Sequence, residues 1–179
     1  MPLQQHSEGI KPYEKEVMNK ETKQVVLARL YATALRLRKL TWRIRKPTLM
    51  GVRALVVRQN EVLLIRHRSG THPWSLPGGG VDRYERMIEA ARRETYEEAG
   101  VHIHIECLLG LYDNFQDGVS NYVAVFVCAP LNAPKVPCSL EIADAQFFAL
   151  DHLPSGIDPS SRQRITEYRA GGQGLTDLW

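Results

Sequence analysis

Residues 79–101 read GGVDRYERMIEAARRETYEEAGV, a stretch that begins with glycines and carries most of its acidic residues in its second half. Its second half combines alanines and apolar residues at helical spacing and contains no proline, which favours a helix. Gly100 stands where a residue in the left-handed conformation commonly ends a helix. The stretch therefore predicts a helix over residues 86–99 that stops at Gly100.

Three glutamates give this helix an acidic face. Glu94, Glu97 and Glu98 are spaced so that one turn brings their carboxylates to the same side. Two carboxylates about 4 Å apart repel by roughly 1 kcal/mol in water and by about 4 kcal/mol at an effective dielectric constant of 20. Arg93 can pair with one of them but not with all three, so a hard divalent cation with oxygen ligands, Mg²⁺ first, fits this face.

A loop with almost no side chains precedes the helix. Residues 77–80 read PGGG, and consecutive glycines let the main chain turn sharply and approach a ligand closely. A main-chain carbonyl of the loop can then complete the coordination of a cation. Each feature alone is typical of a flexible loop or a solvated helix face, but their adjacency favours a metal site.

The pattern over residues 79–101 resembles the Nudix box: Gly, five residues, Glu, seven residues, then Arg-Glu-U-x-Glu-Glu-x-Gly-U, where U is bulky and aliphatic. Thr95 departs from the pattern, and we expect it to face the packing side with Ile88 and Ala91, where it affects stability rather than chemistry. The resemblance covers about residues 50–155. The matching positions are Gly79, Glu85, Arg93, Glu94, Glu97, Glu98, Gly100 and Val101.

The resemblance implies both a fold and a reaction. The implied fold class is α/β, a Nudix-type α/β/α sandwich with a mixed sheet. The implied activity is hydrolysis of a diphosphate bond in a nucleoside diphosphate derivative, such as a nucleotide sugar, ADP-ribose or a nucleoside triphosphate, by water activated with Mg²⁺ or Mn²⁺. The MutT-like box leaves the substrate branch unassigned. The alternative functions are a Nudix-fold protein that senses a nucleotide without turnover, and a protein that associates with RNA or a membrane.

Carried over residue by residue, the resemblance also implies a site. Glu94 and Glu98 hold the metal, Glu97 assists, and the main-chain oxygen of Gly78 is a further ligand. The supporting residues are Gly79, which opens the box, and Arg93, which orients the glutamates with Glu85 as its partner. The general base is a catalytic glutamate, either Glu94 or one from a loop beyond the box, for which Glu141 is the candidate. Arg66, Arg68, Trp74 and Phe115 are candidates for lining the pocket, although no substrate-binding residue is assigned.

The rest of the domain reads as strands and one more helix. Asp158 and Pro159 predict a helix start, because Asp caps helices and Pro suits the first helical position. That helix should end before Gly171, and we expect a loosely held tail. A hairpin turning at residues 59–60 and further strands are expected near residues 52–58, 61–66, 103–111, 121–129 and 145–150.

Residues 1–48 lie outside the resemblance and are predicted to be a basic helical extension of the Nudix hydrolase domain, residues 49–179. Residues 1–60 carry a net charge of +9, whereas the remainder carries −6. Residues 13–45 read as amphipathic helix, closed by Pro47. This segment can pack on the core or on a second copy, giving a homodimer, or bind an anionic membrane surface or nucleic acid through residues 13–46.

Composition and cysteine usage limit the class of protein. The hydrophobic fraction of 44% and the charged fraction of 24% are ordinary for a globular domain and exclude wholesale disorder. Cys107, Cys128 and Cys138 form no CxxC pair, which disfavours a structural zinc site and fits a reducing compartment. The polar first twenty residues argue against a signal peptide, so we expect a cytoplasmic protein.

Overall fold

The apolar run that begins the domain forms two antiparallel strands joined at Gln59 and Asn60, and the other elements are arranged on this hairpin. The computed structural model describes residues 48–116, 119–135 and 141–179; the predicted helices within residues 13–45 lie outside the described residues. The elements are β1 (Thr48–Arg58), β2 (Glu61–His67), β3 (Trp74–Ser75), α1 (Met87–Ala99), β4 (Ile103–Gln116), β5 (Val119–Pro130), β6 (Ile142–Ala149), α2 (Pro159–Arg169) and β7 (Leu175–Leu178).

The strands form one mixed sheet. Their order is β3-β2-β1-β5-β4-β7, and β6 pairs with β2 off this path. β1 runs parallel to β5 and β7 runs parallel to β4, while the remaining pairs are antiparallel. Both faces of β1 are covered, because Val52 and Val56 pack in one hydrophobic cluster and Leu55 packs in the other, which explains its nearly continuous apolar sequence.

The two helices cover opposite faces of the sheet. α1 buries Ala90, Ala91 and Ala99 in the same cluster as Val52 of β1. α2 contributes Ile165 to the cluster on the other face. The described part of the chain is therefore an α/β/α sandwich with a mixed sheet, which confirms the expected fold class.

Both predicted helix boundaries have the local chemistry that the sequence indicates. Gly100 ends α1 in the left-handed region at φ 66°, with its N–H donating to the Tyr96 carbonyl. The Asp158 carboxylate caps α2 by accepting the Ser161 N–H, and Pro159 is the first helical residue. These ends fix where each helix meets the neighbouring loop.

The expectation of a loosely held tail is wrong. The tail forms β7, which pairs with β4 at the edge of the sheet, and Trp179 packs edge-on against Tyr112 with ring centroids 6.1 Å apart. Arg164 of α2 is fully buried and donates to the Leu178 carbonyl at 3.1 Å. Aromatic packing and a buried guanidinium therefore hold the last residues. The sequence did not indicate this, because the partners of the tail lie far away along the chain.

Two further expectations concern single features. Cys107 is half-buried, Cys128 is buried and both are free thiols, while Cys138 lies outside the described residues. Neither helix of the described segments has the length and apolar character that a bilayer crossing requires.

Candidate active site

The glycine-rich loop lies directly on strand β1. The Ala54 N–H donates to the Pro77 carbonyl and the Val52 N–H donates to the Gly79 carbonyl, both at 2.9 Å. Gly78 has φ 144°, and a Cβ at this position would lie 2.1 Å from the Val52 oxygen. Only glycine fits this position, so the sequence of the loop allows its main chain to lie between the strand and the acidic helix.

Glu94 fills the space beside the next glycine. A Cβ on Gly79 would lie 2.5 Å from the Glu94 carboxyl group. The Glu94 carboxylate also accepts from the Arg93 guanidinium at 2.7 Å, and its side chain is only 16% exposed. The missing side chain of Gly79 therefore sets how closely the loop approaches the first glutamate of the run.

Glu98 lies under the same loop. Its carboxylate accepts the Gly78 N–H at 2.7 Å. Burial raises the pKa of Glu98 to about 7, against the lowering effects of the Gly78 hydrogen bond and the Arg53 charge, and the carboxylates of Glu94 and Glu141 raise it further. The Glu98 carboxyl group is therefore more easily protonated than a solvent-exposed glutamate, and a nearby positive charge would favour its carboxylate form.

Arg93 connects the acidic residues. Its guanidinium binds both oxygens of Glu85, at 2.8 and 2.9 Å, and its Nη2 donates to the Gly80 carbonyl at 3.0 Å. These hydrogen bonds lower the pKa of Glu85 to about 2 and raise that of Arg93. The pairing of Arg93 with Glu85 is the one that the resemblance implies, and it fixes the helix start against the loop.

Glu97 and Glu141 lie nearer the surface. The Glu97 side chain is 56% exposed and reaches Arg93 at 3.4 Å. Glu141 directly precedes β6; its carbonyl accepts the Arg68 N–H at 2.9 Å, and its charge contributes to the raised pKa of Glu98. The structure thus brings the candidate base beyond the box to the same site as the glutamates of the helix.

The donor atoms fit a hard cation. Glu94, Glu98 and the Gly78 carbonyl offer only oxygen, which is what Mg²⁺ prefers, and Glu97 stands beside them at the surface. In residues 48–116, 119–135 and 141–179, no three His, Cys, Asp or Glu side chains already converge as a metal centre. Glu94 is engaged by Arg93 and Glu98 by Gly78, so these carboxylates would turn from their present partners to hold a metal.

Arg53 is a site residue that the sequence analysis missed. It lies on β1 between Val52 and Ala54, and its Nη1 donates to the Gly78 carbonyl. Burial lowers the pKa of Arg53, and the charges of Glu98, Asp158 and Glu94 oppose that shift. A charged residue within the apolar run of the strand expected over residues 52–58 was the signal that could have revealed it.

The expected pocket residues lie in two places. Arg66 and Trp74 are together, with the guanidinium 5.7 Å from the ring centroid, and Trp74 also packs edge-on against Phe148. Phe115 is instead 58% exposed on β4 and contacts Tyr122, with ring centroids 6.0 Å apart. Arg66 and Trp74 therefore form a cation–π pair on β2 and β3, whereas Phe115 pairs with Tyr122 on β4 and β5.

Comparisons with known proteins agree with this geometry. The NUDIX domain model matches residues 47–168. The chain is 27% identical to the ADP-ribose pyrophosphatase of Methanocaldococcus jannaschii, over 59% of this chain and 64% of that protein. It is 42% identical to diphosphoinositol polyphosphate phosphohydrolase 2 of Rattus norvegicus, over 37% of each chain. The chain thus spans less than two thirds of these two relatives.

A solved structure extends the likeness. The crystal structure of a UDP-X diphosphatase is similar at a TM-score of 0.60 and 26% identity, covering 94% of this chain and 88% of that one. The family match includes the glycine-rich loop, the acidic helix and the sheet that positions them. The chain therefore belongs to the NUDIX-domain family of hydrolases.

Proposed function

We propose that this protein hydrolyses the diphosphate bond of a small nucleoside diphosphate derivative with Mg²⁺. The observation that carries the proposal is the contact of the glycine-rich loop with two glutamates, Glu94 packed against Gly79 and Glu98 bonded to the Gly78 N–H. This arrangement brings carboxylate and carbonyl oxygens to one place beside a closely approaching main chain. Such a place suits a cation bound to a diphosphate.

Glu94 and Glu98, with the Gly78 carbonyl, would hold the metal, and Glu97 would assist from the surface. Bound there, Mg²⁺ would neutralise charge on the diphosphate and make the attacking water more acidic. Arg93 keeps Glu94 oriented through its 2.7 Å contact, and Glu85 keeps Arg93 in place by binding it through both oxygens.

Glu141 is the proton acceptor that the geometry favours. The Glu94 carboxylate accepts a hydrogen bond from Arg93 and packs against Gly79. These contacts fix its position, which suits a residue that holds a cation. Glu141 lies at the start of β6, exposed to solvent and close enough to Glu98 to raise its pKa. A carboxylate at the mouth of the site can receive a proton from water and pass it to solvent.

The substrate class rests on the names of the relatives. An ADP-ribose pyrophosphatase and a UDP-X diphosphatase both carry, in their names, a nucleoside diphosphate joined to another group. The rat relative is named for a different class, a diphosphoinositol polyphosphate, and its match covers 37% of this chain. The larger matches favour the nucleoside diphosphate derivative.

A substrate panel with Mg²⁺, then Mn²⁺, tests the proposal. The panel holds ADP-ribose, nucleotide sugars, CDP-alcohols, nucleoside triphosphates, dinucleoside polyphosphates, 5′-triphosphorylated RNA and a diphosphoinositol polyphosphate. We expect turnover of a nucleoside diphosphate derivative to a nucleoside monophosphate and a phosphorylated second product, abolished by EDTA. Turnover of the inositol compound alone would overturn the substrate class, and nucleotide binding without turnover would overturn the activity.

A further inference from the structure

Arg53 occupies the oxygen that the proposed metal site requires. The Arg53 Nη1 donates to the Gly78 carbonyl, while the Gly78 N–H donates to the Glu98 carboxylate at 2.7 Å. The Gly78 residue is thus held from both sides in its φ 144° conformation. The guanidinium contributes one positive charge next to the carboxylates that a divalent cation would otherwise neutralise.

A divalent cation and Arg53 cannot share this carbonyl. A guanidinium and a doubly charged ion held at one oxygen repel each other twice as strongly as two unit charges at the same distance. An arginine cannot reduce this repulsion by losing its proton, because the guanidinium stays charged in proteins. The side chain must therefore move away if the Gly78 carbonyl is to bind the cation.

A second carboxylate lies near enough to Arg53 for its charge to act on the guanidinium. The charge of Asp158 acts on the guanidinium from the start of α2. Asp158 uses Oδ2 to cap that helix by accepting the Ser161 N–H at 2.8 Å. A carboxylate has further acceptor positions, so Asp158 can accept from an arginine without leaving the helix end uncapped.

We propose that Arg53 is a positioning residue that holds the Gly78 carbonyl in the metal-free protein and transfers to Asp158 when a divalent cation binds. The inference rests on the proposed metal site and adds to it a competitor that sets the metal affinity. Arg53 holds the Gly78 carbonyl and compensates the charge of Glu98 and Glu94 until the cation arrives. The free energy needed to move Arg53 from the Gly78 carbonyl to Asp158 then lowers the affinity of the site for the metal.

Side-chain NMR on the full-length protein tests the exchange directly. Guanidinium ¹⁵N signals are followed during a Mg²⁺ titration, and the Arg53 signal is assigned by its loss in Arg53→Lys. We expect the Arg53 signal to shift with the same Mg²⁺ dependence as the Gly78 amide, while the signal of buried Arg164 stays in place. A shifting Gly78 amide with an unmoved Arg53 signal would overturn the exchange and leave the proposed function standing. No Mg²⁺-dependent shift at either position would overturn both.

Mn²⁺ affinity, measured by the EPR signal of the free ion, gives an independent test. We expect Arg53→Met to bind Mn²⁺ at least about 5-fold more tightly, because the competitor is gone. Asp158→Asn keeps a helix-capping side chain but loses the charge, so we expect about 3-fold weaker binding. Exposed Arg162→Met is the control and should leave the affinity unchanged. Equal or weaker binding by a folded Arg53→Met protein, or unchanged binding by Asp158→Asn, would overturn the proposal.

Discussion

Glu98 shows how stability and function oppose each other at a single residue. Its carboxyl group lies half-buried under the Gly78 N–H, near two other carboxylates, and its pKa is raised to about 7. The folded protein therefore binds a proton there more tightly than the unfolded chain does. The metal-free fold thus disfavours the Glu98 carboxylate, which is the form that could bind a metal.

This residue predicts a pH dependence of stability. Because the unfolded Glu98 releases its proton near pH 4.5 and the folded one near pH 7, the folded state binds more protons in between. The free energy of unfolding then falls as pH rises through this window, by at most about 1.4 kcal/mol per unit. The Glu98→Gln variant should not show this fall in the free energy of unfolding, because glutamine does not titrate. Urea unfolding in EDTA at about pH 5 and about pH 7.5 should show the variant gaining on the wild type, and parallel pH profiles would contradict the assignment.

Gly79 allows a matched test of the loop contact. Gly79→Ala places a methyl group 2.5 Å from the Glu94 carboxyl, whereas Gly80→Ala meets nothing within 4 Å. We expect Mg²⁺-dependent turnover to fall at least about 10-fold in the first variant, because a metal ligand is displaced, and to stay within about 2-fold in the second. Steady-state kinetics of both proteins decide this. Equal losses would contradict a specific Gly79–Glu94 contact, because they would show that the loop rejects a side chain at either position.

The box predicted some of these residues and could not predict others. Gly79, Glu94 and Glu98 follow from sequence because their spacing within one loop and one helix brings them together. Arg53 does not, because its role depends on the pairing of β1 with the loop about 25 residues later, and that pairing leaves no local pattern.

At the scale of elements, α2 and β7 depend on one buried ion pair. Arg164 is fully buried, binds Glu167 at 2.7 Å and lies 3.8 Å above the Tyr112 ring. Tyr112 also donates to Glu167 at 2.8 Å, and burial raises the pKa of its hydroxyl. The C-terminal strand therefore rests on charges that stabilise the fold only while both partners are present.

Removing one partner should be costly. We expect Arg164→Ala to lower the free energy of unfolding by roughly 3–5 kcal/mol, since the Glu167 carboxylate loses its buried cation. Arg162→Ala on the same helix removes an exposed side chain and should change it by less than about 0.5 kcal/mol. Denaturant unfolding of the two variants measures the difference. A loss of similar size in both would show that the buried pair contributes nothing specific.

The elements that sequence predicted well are those set by local chemistry. The hairpin turn, the Gly100 stop and the Asp158 cap each depend on residues within a few positions of one another. β7 depends instead on parallel pairing with β4, about 65 residues earlier in the chain. Patterns of apolar spacing carry no such information, so the tail was expected to be loose.

At the scale of the whole molecule, we propose that the domain from residue 49 onward works without the basic residues before it. The described residues contain two hydrophobic clusters, the glycine-rich loop and the acidic helix α1. Because β1 begins at Thr48, a fragment starting at Lys46 keeps the whole strand. We expect this fragment to unfold cooperatively and to retain Mg²⁺-dependent turnover.

The same fragment separates the alternatives for residues 13–46. Vesicle flotation, RNA binding and sedimentation of the full chain and the fragment are the measurements. Loss of vesicle or RNA binding with turnover kept would assign the segment to targeting. Loss of an oligomer would assign it to assembly. A fragment that fails to fold would contradict the proposed domain boundary.

The central claim is that carboxylates under a glycine-rich loop carry out diphosphate hydrolysis with a divalent metal. Its most direct test is kcat/KM of the wild type and Glu98→Gln on the best substrate of the panel, in saturating Mg²⁺, with both proteins shown to be folded. The substitution is nearly isosteric and removes one charge from the metal site. We predict a fall of at least about 100-fold. A variant within a few-fold of the wild type, giving the same products, would contradict the assignment.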